Sequence, residues 1–203
     1  MFLSTFRISI SLICLTLMGI GLLSAQSDWK LAKEKNGIKV YTRVVKEGTL
    51  KEFKAVMDIT ASMSDVKKVL LDINGYAKWQ HKCMVSKLLK KVSDTEMYTY
   101  TKVDTPWPVT DRDLVLKYNI KNPSSKEFRI DFKAYPKYIG TKDDAVRLPY
   151  CTGYWSVKAL SNGKVRVTNQ AHSSAGGSVP AWLANSGVVD SPYNSFYNLK
   201  KKF

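Results

Sequence analysis

Between Val85 and Asn169 the chain falls into six short stretches separated by turn residues. Leu114, Leu116, Tyr118 and Ile120 alternate with Lys117 and Asn119, and Phe128, Ile130, Phe132 and Ala134 alternate with Arg129, Asp131 and Lys133. Trp155 to Ala159 and Val165 to Asn169 repeat the pattern around Ser161-Asn162-Gly163, and Val85 to Leu89 and Met97 to Val103 precede them. Successive side chains of a strand point to opposite faces, so period two puts the apolar set on one side. Several such runs joined by short turns predict an antiparallel sheet with one face on a core and one face in water. Ile38 to Val44 and Phe53 to Ile59 alternate in the same way, and Glu47-Gly48 between them predicts a hairpin.

The helical signals are fewer. Asp28 to Lys35 reads as a short helix opened by Asp28 and ended by Asn36-Gly37. Val66, Val69, Leu70 and Ile73 make one helical stripe, with Ser62 or Ser64 as N-cap and Asn74-Gly75 as stop. Tyr76 and Trp79 follow in a short helical or irregular stretch. Gly176-Gly177-Ser178 leads through Pro180 into a last helix reaching about Leu199, with a kink expected about a turn before Pro192. Val179, Leu183, Ser186, Val189 and Tyr193 are its expected sheet-facing residues, and Lys200-Lys201-Lys202 suits its C-terminal end. No repeat or linker divides the chain. The class is therefore α+β: seven or eight antiparallel strands curling around one long helix. Such a sheet cannot close tightly on the helix, and the gap left is where a small apolar ligand sits.

The N-terminus has its own logic. Arg7 precedes an apolar run from Ile8 to Leu23 that ends in Leu23-Ser24-Ala25-Gln26. A basic start, an apolar middle and small residues before a cut are the layout of a secretory signal. Residues 1–25 are expected to be a cleaved signal peptide, leaving residues 26–203 as one exported domain, periplasmic or secreted. The whole chain carries a net charge of +15, and cleavage removes only Arg7 of its charged residues. That charge draws the protein to anionic surfaces. For an exported domain the expected surface is an anionic membrane, met transiently, and not nucleic acid. Cys83 and Cys151 read slightly better as two small buried hydrophobes than as a disulfide.

Little in the sequence points to catalysis. His81 and His172 are far apart, His81 and Cys83 fall short of a metal set, and no phosphate loop or nucleophile elbow is present. No catalytic residue, metal or cofactor is expected. The informative stretch is Pro106-Trp107-Pro108-Val109-Thr110-Asp111-Arg112-Asp113. Alternation puts Arg112 on the side of Leu114 and Leu116, and a cation facing an apolar interior needs a partner. Asp111, Asp113 or Asp131 would make it a structural ion pair; the polar end of a ligand would make it a binding residue.

Two later stretches complete a pattern: Val146-Arg147-Leu148-Pro149 before Gly153-Tyr154-Trp155, and Gly176-Gly177-Ser178-Val179-Pro180-Ala181-Trp182-Leu183-Ala184-Asn185. In this order and spacing the three stretches resemble the START (StAR-related lipid-transfer) domain, of the helix-grip or Bet v 1-like superfamily, over essentially all of residues 27–200. The resemblance implies a helix-grip fold, in which a curved antiparallel sheet wraps the C-terminal helix around a lipid tunnel. It implies a monomeric, non-enzymatic lipid carrier or sensor, with Arg112 toward the ligand head group and the last helix as part of a lid. The residues expected at the ligand are Trp79, Tyr100, Trp107, Arg112, Arg147, Trp155, Val179, Trp182 and Leu183. The same superfamily includes cyclases and hydrolases, and an enzyme acting in the same cavity is the alternative reading.

Overall fold

The computed structural model describes residues 29–45, 50–177 and 179–203, without the side chains of residues 181, 182, 184 and 185. The expected signal peptide and the Glu47-Gly48 turn lie outside the described residues. In chain order the elements are β1 (Lys30–Lys35), β2 (Ile38–Arg43), β3 (Glu52–Thr60), α1 (Met63–Leu71) and a 3-10 turn over Ile73–Lys78. Then come β4 (Cys83–Lys91), β5 (Glu96–Val103), β6 (Arg112–Ser124), β7 (Glu127–Ala134), β8 (Val146–Arg147), β9 (Cys151–Ala159), β10 (Lys164–Ser173) and α2 (Ala181–Lys200). One open sheet runs β1-β2-β3-β10-β9-β7-β6-β5-β4, and each neighbouring pair is antiparallel. β8 stands off this path and pairs with β6 in parallel. The α+β helix-grip architecture is as the sequence predicts. Among the described residues the strands number ten, not seven or eight.

One extra strand comes from a correction. Residues 30–35 form a strand, not a helix. Asn36 and Gly37 have φ of 55° and 74°, the left-handed pair of a two-residue hairpin turn, and Lys35 pairs directly with Ile38 across it. Asn-Gly ends helices and makes tight hairpins for the same conformational reason, and here the hairpin wins. β1 is an edge strand, and its lysines blunt that edge against further pairing. The other edge of α1 also differs. Ser62 caps its start, its Oγ accepting from Asp65 N at 3.1 Å. The helix stops at Leu71, before Asn74-Gly75, because the Asp72 carboxylate accepts from Gly75 N at 3.1 Å and winds the next residues into the tighter turn.

α2 lies across the concave face of the sheet. Its buried side chains are Val188, Pro192, Tyr193, Phe196 and Leu199, which differ from the expected face except at Tyr193. Phe196 stacks on Trp155 at 5.6 Å between centroids, and Trp155 meets Trp79 edge-on at 5.9 Å. Burying Phe196 or Leu199 is worth about 1.5–3 kcal/mol each. These large residues therefore choose which side of the helix is pressed onto β2 and β3. Lys33 pairs with Asp190 at 2.7 Å, and Asn36 Nδ2 donates to the Tyr193 hydroxyl at 2.9 Å, fastening the helix to the first hairpin. The helix is thus held by its C-terminal half. Cys83 and Cys151 are both buried free thiols.

Candidate functional site

Beyond that contact, α2 turns a different face to the sheet. Leu183, Ser186, Gly187, Ser191 and Ser195 border the space between this part of the helix and the sheet. Two hollows result. The outer one, about 220 Å³, is bounded by the loop at Asp104–Pro106, by Arg112, Leu114 and Leu148, by Ser173–Ala175, and by Val179, Leu183 and Ser186. The inner one, about 240 Å³, lies over the strand centres, between Phe53, Leu116, Tyr118, Phe132, Trp155 and Asn169 and the Ser191, Pro192 and Ser195 side of the helix. Val103, Leu114, Ser173, Gly187 and Ser191 wall both, so the two adjoin. Together they reach the lower range of small-molecule sites, about 300–1,000 Å³.

Arg112 stands in the outer hollow. Its Nε donates to Ala175 O at 3.4 Å, its Nη2 to Gly176 O at 3.5 Å, and its Nη1 to Thr110 O. Every carboxylate offered to it by the sequence is engaged elsewhere. Asp111 faces Lys102 at 3.3 Å, Asp131 pairs with Lys121 and Arg129, and Asp113 pairs with Arg147. Among the described residues Arg112 forms no ion pair. A guanidinium tied to three backbone carbonyls, two of them at 3.4 and 3.5 Å, still has N–H donors left for an anionic group.

The other expected site residues divide. Val179 and Leu183 line the outer hollow, and Trp155 lines the inner one. Trp79 lies in the core behind Trp155, 5.1 Å from the Tyr76 ring, and lines neither. The side chain of Trp182 is outside the described residues. Trp107 is 90% exposed on its proline-flanked turn, beside the Pro106 rim rather than inside. Tyr100 and Arg147 lie on the opposite face of the sheet. There Arg147 grips Asp113 with both arms of its fork, at 2.6 and 3.0 Å, and also donates to the carbonyls of Pro136, Ile139 and Gly140. Their side chains are 5% and 0% exposed. This is a buried clasp that ties the 136–147 segment to β6, and it takes Arg147 away from the hollows.

Sequence reasoning missed the polar lining of the inner hollow. Gln80, Thr101, Asn169, Ser191 and Ser195 all face it. Asn169 carries a readable signal, since it occupies an inward position of β10 between Val167 and Ala171. Its Nδ2 donates to Tyr154 O at 3.0 Å. Burial is the chief influence on the titratable groups nearby. It pushes the Cys83 thiol up to about 11 and the Cys151 thiol to about 12, and it raises the Tyr118 phenol. Burial and then neighbouring Lys82 hold His81 below the ordinary imidazole value.

The geometry can be set beside known proteins. The START domain family profile matches residues 20–129. A solved StAR-related lipid transfer protein from Xanthomonas axonopodis superposes with a TM-score of 0.79 at 37% identity, covering 86% of this chain and 97% of that one. An uncharacterized protein of Pseudomonas aeruginosa is 38% identical over 173 residues, 85% of each chain. The phosphatidylcholine transfer protein of Mus musculus is 26% identical over 170 residues, 78% of this chain and 76% of that one.

Proposed function

The chain belongs to the START domain family, and from that premise we propose that it is a lipid carrier, holding one amphiphilic molecule between the concave sheet and α2 and doing no chemistry on it. The observation that carries this reading is the pair of adjoining hollows under α2, with Arg112 on the wall of the outer one. The space is apolar over most of its wall, and its unpaired cation suits the phosphate or carboxylate of a lipid head. The lipid-transfer activity in the names of the Xanthomonas and mouse relatives supports the same class of ligand.

Loading and release take place at an anionic membrane surface in this reading, with the protein acting as a monomer outside the cytoplasm. The support is the net charge of +15, the exposed Trp107 beside the outer hollow, and the apolar run and Ser24-Ala25 of the N-terminus. The test is extraction of the purified protein with organic solvent followed by mass spectrometry. One lipid per chain, recovered chemically unchanged, is the expected result. A protein that carries none and takes up none from vesicles overturns the proposal.

A further inference from the structure

The two hollows differ in kind, and the difference bears on the ligand. The outer hollow holds the charged side chains Lys82, Asp104 and Arg112, with His81 beside them, and Lys82 and Asp104 pair with each other at 3.6 Å. Among the described residues, the inner hollow has no charged side chain in its wall. A purely hydrocarbon guest would be best served there by leucine, valine and phenylalanine. Beside Phe53, Leu116, Phe132 and Trp155, amide and hydroxyl groups converge on it from four places. Gln80 comes from the loop before β4, Thr101 from β5, Asn169 from β10, and Ser191 and Ser195 from consecutive turns of α2. Asn169 and Thr101 are among the buried polar residues of the sheet face that otherwise builds the core.

A polar group kept out of water needs a hydrogen-bond partner, or it costs stability. The partners within the protein are few. The Asn169 amide donates to Tyr154 O, and the Ser195 hydroxyl accepts from His81 N at 3.0 Å, which leaves its own proton to give. The set offers both donors and acceptors and no net charge. It therefore matches a neutral group that both gives and takes hydrogen bonds, and it disfavours an anion or a cation, which would be stripped of water without a counter-charge.

Resting on the carrier reading, we infer that the bound molecule is polar at both ends: an anionic head at Arg112 and, at the far end of its apolar body, an uncharged hydroxyl or amide received by Asn169, Thr101, Gln80, Ser191 and Ser195. The apolar middle lies against Leu114, Leu116, Phe132 and Trp155. The competing explanation for the polar wall is a small cluster of ordered water, which satisfies such groups equally well.

Titration calorimetry on lipid-stripped protein separates the two. The probes are straight-chain carboxylic acids of 10 to 16 carbons, each with and without a terminal hydroxyl. At the length that spans both hollows the hydroxy acid is expected to bind about tenfold more tightly than its plain partner, the worth of one well-made buried hydrogen bond. In Asn169→Leu and in Ser191→Ala the ratio is expected to fall below about twofold. The ratio is taken within one protein, so a partial loss of folded material does not imitate the effect. Equal affinity at every length, or tighter binding of the plain acids, overturns the inference and leaves the carrier reading standing. Binding of neither series also overturns it, and the lipid recovered by solvent extraction then decides the carrier reading separately.

Discussion

Replacing Arg147 by leucine separates a structural arginine from a ligand-binding one. Arg147 and Asp113 are almost wholly out of water and joined by two bonds at 2.6 and 3.0 Å, and the same guanidinium caps three backbone carbonyls. Leucine fills much of the volume but leaves the Asp113 carboxylate buried without its counter-charge. Breaking one side of a buried pair costs about 3–5 kcal/mol. For a domain of this size each kcal/mol moves the midpoint by about 2–4 °C, so a fall of about 6–20 °C is expected by circular dichroism. The double variant Arg147→Leu with Asp113→Leu should recover much of that loss, because a buried pair is often replaced by apolar residues at no net cost. Lipid carried per folded chain, measured well below the lowered midpoint, should match the wild type. A variant with an unchanged midpoint and no bound lipid would refute this account and put Arg147 back at the ligand.

Arg112→Leu should behave in the opposite way. It gives up the bond to Thr110 O and the long bonds to Ala175 and Gly176, so a stability loss of about 1–3 kcal/mol is expected, while affinity for an anionic amphiphile falls about 10–100-fold; unchanged affinity in a binding titration would show that this cation only braces the strap before α2. Cys83 and Cys151, with thiols raised by burial to about 11 and about 12, should resist alkylation at pH 8 in the folded protein and react fully in urea. The native state holds those protons more tightly than the unfolded chain does, so their contribution is complete below about pH 9 and is lost as pH rises through about 9 to 12; stability that increases over that window contradicts it. Gly176→Ala places a methyl group 2.6 Å from Leu148 Cδ2 at a φ of +67°, and should cost about 1–3 kcal/mol in a denaturant titration.

The sheet was readable because its strands are amphipathic: Leu114 to Ile120 and Phe128 to Ala134 need only their own periodicity to declare a wet and a dry face. β8 was not, since its two residues are a strand only by virtue of Asp111 and Asp113, more than thirty positions earlier, whose carbonyls accept from Val146 and Leu148. The same distance hid the difference between the two arginines. Both stand near aspartates in the sequence, and only the fold decides that Asp113 goes to Arg147 and leaves Arg112 in the hollow. The buried face of α2 was misplaced because Leu183 and Ser186, expected against the sheet, border an open space, as do Ser191 and Ser195, while Phe196 and Leu199 take the buried side. The polar inner end was half visible: Asn169 breaks an apolar alternation, but what it converges with lies on three other elements.

The central claim is that the space under α2 is where the ligand lies. Gly187 tests it most directly, because it walls both hollows, and a methyl group built on it meets no described atom within 4 Å. Gly187 is an exposed position on the wall shared by the two hollows, so Gly187→Leu adds bulk at their common border, and the helix gains up to about 1 kcal/mol by losing an internal glycine. The account predicts a protein whose midpoint is unchanged or raised and from which solvent extraction recovers no lipid. A Gly187→Leu protein that still carries one lipid per chain would contradict it.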